Sequence, residues 1–184
     1  FLLLKGYVGM HNQQGDAQKI MGAIQEVKNA MKLHKYPRVY VTDRVTDEDG
    51  VKQIHKYGDC YASFTRGEGW GIPPIEALLY GNDLITPDHT AMSDWLKTEG
   101  VRDSVYIVDS YEDSVHNMPH PDEQLYTSRE NWFEPKVLSG VEAFRKKFSE
   151  LRKNTKETRQ ALFSAYAPKK IGKQLVEVMS DAKV

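Results

Sequence analysis

Two carboxylates bracket a run of glycines. Glu68 stands inside Gly67-Glu68-Gly69-Trp70-Gly71, and Glu76 follows beyond Pro73 and Pro74. Glycines at alternate positions let a backbone turn tightly and lie close to a ligand. Cys60 to Thr65, just ahead, is a short and mostly apolar run that predicts a buried strand. Pro73 marks the start of a helix, with Glu76 in its first turn and Gly81 at its end. A glycine loop between a strand's end and a helix's start gathers free amides and the positive helix end at one spot, which suits an anion. Two acids beside that spot repel a bare phosphate and suit hydroxyls instead. The combination fits a ligand carrying both a diphosphate and hydroxyls, as a sugar nucleotide does. Taken singly, the same acids are one exposed loop acid and one helix-cap acid.

The flanking sequence predicts the elements that would position this loop. Phe1 to Tyr7 reads as a strand and Val8 to Gly15 as a loop. Asp16 caps a helix whose stripe of Ile20, Ala23, Ile24, Val27, Ala30 and Met31 reads as a core face. Arg38 to Arg44 is a second strand, Asp49 to Tyr57 a short helix ended by Gly58, Asn82 to Pro87 a fourth strand and Val105 to Val108 a fifth. Asp88 to Ser93 reads as a polar loop before a short helix over Asp94 to Glu99. Strands alternating with helices predict an α/β fold with one five-stranded, largely parallel sheet. Ligands of such sheets bind at the carboxyl ends of strands. That rule gathers Tyr7 to Met10, Thr42 to Val45, Thr65 to Gly71 and Pro87 to Met92 around one crevice. Asp109 to Trp132 reads as irregular. Phe144, Phe148 and Leu151, then Leu162, Phe163 and Tyr166, mark helical stripes, and Ile171, Leu175 and Met179 a last helix after Pro168. The charged run from Arg145 to Arg159 mixes signs and reads as a solvated face.

The 184 residues carry a formal net charge of −1, which suits one domain and gives no pull toward nucleic acid or anionic membranes. The single cysteine, Cys60, is expected to pack as a small apolar side chain in a reducing, cytoplasmic setting. No apolar run is long enough to span a bilayer, so the chain is expected not to be transmembrane. His116 and His120 have a helical metal spacing, but Pro119 and Pro121 disfavour a helix there, and no metal is expected. Ile72 stands where a dinucleotide fingerprint needs its third glycine.

Phe64-Thr65-Arg66-Gly67-Glu68-Gly69-Trp70-Gly71-Ile72-Pro73-Pro74-Ile75-Glu76-Ala77 resembles the signature of retaining GT-B glycosyltransferases of the large group 1, family 4-like class. That pattern runs Pro-Ser-Arg-x-Glu-Gly-Phe/Trp-Gly-Leu/Ile-Pro-x-x-Glu-Ala, and Phe64-Thr65 replaces its Pro-Ser. The resemblance implies a Rossmann-like, mainly parallel sheet with flanking helices, the C-terminal half of a GT-B fold. It implies that residues 1–184 form the nucleotide-sugar-binding domain, with C-terminal helices over about 140–184. Phe1 to Tyr7 aligns with the family's second strand. The family's first strand and the N-terminal acceptor domain are then missing, so the fragment is expected to be inactive alone and to self-associate through an open sheet edge.

The same resemblance implies residue roles. Glu76 contacts ribose hydroxyls, and Glu68, the catalytic residue, faces the donor sugar. The amides of Gly69, Trp70, Gly71 and Ile72 meet sugar oxygens and diphosphate. Arg66 is either a diphosphate partner or a charged strand-end residue, and Thr90, in a loop near the donor sugar, is a weaker candidate. The implied activity is hexosyl transfer from a nucleotide-sugar donor with retention of configuration, without metal or other cofactor. A non-catalytic nucleotide-sugar-binding module and an unrelated Rossmann-like nucleotide binder are the alternatives. Asn131-Trp132-Phe133-Glu134-Pro135 resembles a Trp-x-Glu-Pro turn of the family; its other reading, the preferred one, is packing by Trp132 and Phe133.

Overall fold

The computed structural model describes residues 1–6, 15–116, 126, 129–150 and 156–181. The chain divides into two compact units, Phe1–Gly50 and Val51–Val184.

In the first unit, β1 (Leu2–Lys5) pairs in parallel with β2 (Val39–Thr42), with Leu2 opposite Val39 and Lys5 opposite Thr42. Between them runs α1 (Asp16–Met31). Gly15, at φ 97, occupies the cap position expected of Asp16, which is instead the helix's first residue and is fully buried. A carboxylate from beyond β2 satisfies the helix start: Asp43 accepts from the Ala17 amide at 3.0 Å. The expected core face of α1 is not buried. Val27 and Met31 are more than half exposed. Ile20, Ala23, Ile24 and Val27 line an open cavity of about 720 Å³ with Tyr36 and Pro37. Helical spacing sets which residues share a face; it does not supply the surface that covers them.

In the second unit, three strands form a parallel sheet in the order β3 (Cys60–Ala62), β4 (Asp83–Pro87), β5 (Val105–Val108). Tyr61 pairs with Leu84, and Ile85 with Tyr106. The five expected strands therefore exist and pair in parallel, but as sheets of two and three strands rather than one of five. β4 is buried along its whole length, as the middle strand of a covered parallel sheet must be. Helix α2 (Glu48–Tyr57) precedes β3, α3 (Ile72–Leu79) links β3 to β4, and α4 (Ala91–Leu96) with a 3-10 turn at Arg102–Ser104 links β4 to β5. Leu78, Leu84, Met92, Trp95, Leu96, Val101, Val105 and Leu162 pack as one core cluster, and Ile85, Tyr106, Val108 and Ala143 as a second.

Two expectations fail after β4. Helix α4 begins at Ala91, not Asp94, because Met92, Trp95 and Leu96 already share its buried face. The stretch expected to be irregular contains β6 (Ser110–Ser114), which pairs antiparallel with β7 (Asn131–Pro135). Helices α5 (Val137–Ser149), α6 (Lys156–Ala165) and α7 (Pro168–Asp181) follow. The three stripes fare differently: Leu162 of α6 is in the core, whereas Phe148 of α5 is 91% exposed and α7 buries no residue. Among the described residues no helix is long and apolar enough to cross a membrane.

One buried ion pair ties α5 to the sheet. Lys147 donates to Asp83 at 2.6 Å, and the Asp83 side chain is wholly buried. Burial alone would lower the Lys147 ammonium's pKa, but the hydrogen bond and charge of Asp83 more than offset it, leaving Lys147 above the usual lysine value. Beside this pair, burial, partly countered by Lys147, pushes the Cys60 thiol up to about 12. The thiol is therefore inert at neutral pH, as a packed apolar side chain should be.

Candidate functional site

Three chain segments leave the carboxyl ends of β3, β4 and β5, and they meet. The segment after β3 carries Arg66 and Glu68, that after β4 carries His89 and Thr90, and that after β5 forms the β6–β7 ribbon. Phe133 on β7 donates its amide to the Arg66 carbonyl at 3.1 Å. The Glu68 amide donates to the Thr90 hydroxyl at 3.1 Å, and the Ala91 amide donates to the Glu68 carbonyl at 3.3 Å. The structure thus brings together Glu68 and Thr90, two candidates far apart in sequence. Thr42 to Val45, expected in the same crevice, fall in the first unit, and Tyr7 to Met10 lie outside the described residues.

The glycine loop is anchored from beneath. The Trp95 indole donates to the Trp70 carbonyl at 3.0 Å, and the Trp70 ring meets Tyr166 edge-on at 5.2 Å. The Glu68 carboxylate accepts from the Trp70 amide at 3.4 Å, a long bond. Gly71 caps α3 with φ 84 in the left-handed region. A Cβ there would lie 3.2 Å from the Met92 sulfur, 3.3 Å from Pro74 and 3.4 Å from the Trp95 indole nitrogen. Gly71→Ala is expected to destabilise the chain by about 2 kcal/mol, combining left-handed strain with crowding. Urea denaturation checks this; an unchanged midpoint would mean that the loop relaxes freely.

Helix α3 begins at Ile72, one residue before the expected start. Pro73 and Pro74 carry no N–H, and Ile75 already donates to the Gly71 carbonyl at 3.0 Å. The helix end therefore offers a ligand the Ile72 amide, and any further donors come from the glycine loop. Glu76, expected in the first turn, sits in the second. Its carboxylate is about half exposed and lies 4.0 Å from the His55 imidazole. His55 is buried and stacks on Tyr80 at 5.7 Å with planes 8° apart. The Asn82 side chain donates to the carbonyls of His55 at 2.7 Å and Ala77 at 3.2 Å, joining the end of α2 to α3. Gly81, at φ 95, follows α3 as expected.

Arg66 is engaged within the protein. Its guanidinium pairs with Glu134 through two nitrogens and lies over the Trp132 ring, 4.4 Å from the centroid. The hydrogen bond from Arg66, more than its charge, holds the Glu134 carboxyl below the usual range. Trp132 and Glu134, read from sequence as packing and a turn, are thus the partners of a candidate donor-binding residue. A cavity of about 410 Å³ opens beside Arg66 and Glu134, lined also by Phe64 and Phe144. Gly69, Trp70 and Ile72 are exposed, and Glu68 is half-buried.

Burial pushes the imidazoles of His55 and His89 below their usual value, against the opposing pull of Glu76 on the first and of the Thr65 backbone and Asp88 on the second. Burial, then the charge of Glu68, pushes the Tyr61 phenol up. The unfolded chain's imidazoles bind protons near pH 6.5, whereas the folded ones bind them only at lower pH. Stability is therefore full above that value and falls as the pH drops below it. Melting temperature should be flat from pH 8 to 7 and decline toward pH 5.5. His55→Phe, which keeps the stack on Tyr80, should soften the decline, and an unsoftened profile would remove His55 from it. His116 bonds with the Ser114 carbonyl at 2.7 Å, and His120 lies outside the described residues. Among the described residues no cluster of three or more His, Cys, Asp or Glu side chains could hold a metal ion.

No protein-family model matches the chain, and no curated protein matches it.

Proposed function

We propose that this chain is the donor-binding half of a retaining glycosyltransferase, with a Rossmann-like domain that takes a nucleotide sugar. One observation carries the reading: the loop bearing Glu68 leaves the carboxyl end of a parallel strand and docks on the Thr90 turn that follows the next strand. Open parallel sheets bind ligands at that edge. There the loop amides and the Ile72 amide would meet the diphosphate, Glu76 the ribose hydroxyls and Glu68 the sugar. As the glycosidic bond breaks, the departing diphosphate gathers charge, and amides already aimed at it lower the barrier. Glu68 would steady or orient a sugar whose anomeric carbon becomes oxocarbenium-like. Attack from the leaving-group face, and so retention, follows from the resemblance of the loop to the family signature.

A nucleotide-sugar-binding module without catalysis is the second reading; in either, the pairing of Arg66 with Glu134 leaves the diphosphate to the loop and helix amides. Thermal denaturation with UDP-glucose, GDP-mannose and NAD tests both readings against an unrelated nucleotide binder. A ligand at 100 times its Kd adds about 2.7 kcal/mol to stability. One sugar nucleotide should raise the melting temperature by several degrees and NAD should not. A shift with NAD alone contradicts both sugar readings, and sugar transfer by a protein that carries an acceptor domain separates enzyme from module.

A further inference from the structure

We propose that Thr90 is a positioning residue that holds Glu68 in place for the donor sugar, an inference that rests on the donor-binding reading above. Thr90 has φ 52 and ψ −140, a conformation that glycine adopts freely and a β-branched residue does not. Such strain persists only where surrounding contacts impose it. The contacts here converge on Glu68. The Thr90 hydroxyl accepts the Glu68 amide at 3.1 Å, and the next amide, that of Ala91, donates to the Glu68 carbonyl at 3.3 Å. One turn therefore grips the acid's own backbone on both sides and leaves its carboxylate to a neighbouring group.

The hydroxyl is itself placed. His89 Nδ1 lies 3.3 Å from it, and the buried His89 ring stacks on Phe133 at 4.8 Å with planes 16° apart. With the imidazole proton on Nε2, the Thr90 hydroxyl accepts the Glu68 amide and donates its own proton to His89 Nδ1. That arrangement needs a neutral imidazole, which the burial of His89 favours. Phe133, His89, Thr90 and Glu68 thus form a line from β7 to the glycine loop. A glycine at position 90 would relieve the strain and lose the hydroxyl, so the threonine side chain is what the strained backbone serves.

The test uses the full chain with Thr90→Val, Thr90→Ser and Thr90→Gly. It reads hydrogen exchange at the Glu68 amide, melting temperature, and Kd for UDP-glucose and GDP-mannose against UDP and GDP. Thr90→Val should speed exchange at Glu68 and weaken the sugar nucleotide about tenfold, a factor equal to roughly 1.4 kcal/mol. The diphosphate should bind within about twofold of wild type, less than the ~0.5 kcal/mol lower bound for one hydrogen bond. Thr90→Ser should restore both readouts. Thr90→Gly should match Thr90→Val in binding while melting no lower than the wild type. Unchanged exchange at Glu68 in Thr90→Val would overturn the latch even with donor binding intact. Equal losses for sugar nucleotide and diphosphate, with a lower melting temperature, would make Thr90 structural only and overturn the positioning role. If neither sugar nucleotide binds the wild-type chain, the donor reading fails and takes the sugar-positioning role with it, whatever the exchange shows.

Discussion

Lys147→Met should cost about 3–5 kcal/mol of folding stability, the usual penalty for leaving one member of a buried ion pair without its partner. Asp83 has no exposed side-chain surface, and Lys147 is only 15% exposed. Methionine keeps the length and apolar stem of lysine, so the loss comes mainly from the stranded carboxylate rather than from a cavity. The loss is large beside the 5–15 kcal/mol that typically separates folded from unfolded domains. Asp83 lies on the buried middle strand of the three-stranded sheet and Lys147 on α5, so the variant should also loosen that helix from the sheet. Asp83→Asn combined with Lys147→Met removes both charges and should lose clearly less than Lys147→Met alone. Urea midpoints of the single and double variants check this. Equal destabilisation would mean that packing, not charge, is the source.

Glu76→Gln should weaken nucleotide binding by about 1.5–3 kcal/mol, the range for a hydrogen bond to a charged group. The loss should be the same for the diphosphate and the sugar nucleotide, since both carry the ribose. The position of Glu76 in the second turn of α3 strengthens this expectation. Its carboxylate is too far along the helix to be consumed as a cap, and it is about half exposed beside a buried His55. Glu68→Gln should separate the ligands. Diphosphate binding should hold, while sugar-nucleotide binding should fall. Equal effects of Glu68→Gln on both ligands would refute its sugar-facing role, and no effect of Glu76→Gln on either would leave both acids as ordinary surface carboxylates.

The parts of the fold that local chemistry dictates were legible in the sequence. Gly71 and Gly81 take the positive φ that the loop and the helix end require, and the apolar runs around Leu84 and Val105 form parallel strands. What escaped depends on partners distant in sequence. The β6–β7 ribbon joins Tyr111-Glu112-Asp113, which lacks an apolar run, to a segment about 20 residues later. Nothing around Arg66 announces Glu134, 68 positions away. The α1 stripe shows the converse: its periodicity is helical, but burial needs a covering surface, which spacing does not encode. In the candidate site, the residue types and spacing of Glu68 and Glu76 were visible. The strained Thr90 turn that holds Glu68 was not, because no local pattern demands a threonine at positive φ.

Calorimetric titration of the unmodified chain with UDP-glucose and GDP-mannose, in competition with NAD, tests the central claim most directly. One of the sugar nucleotides should bind, its own nucleoside diphosphate should displace it, NAD should not, and Glu76→Gln should weaken both ligands alike. Tighter binding of NAD than of either sugar nucleotide, or a sugar nucleotide whose affinity ignores Glu76→Gln, would contradict that claim.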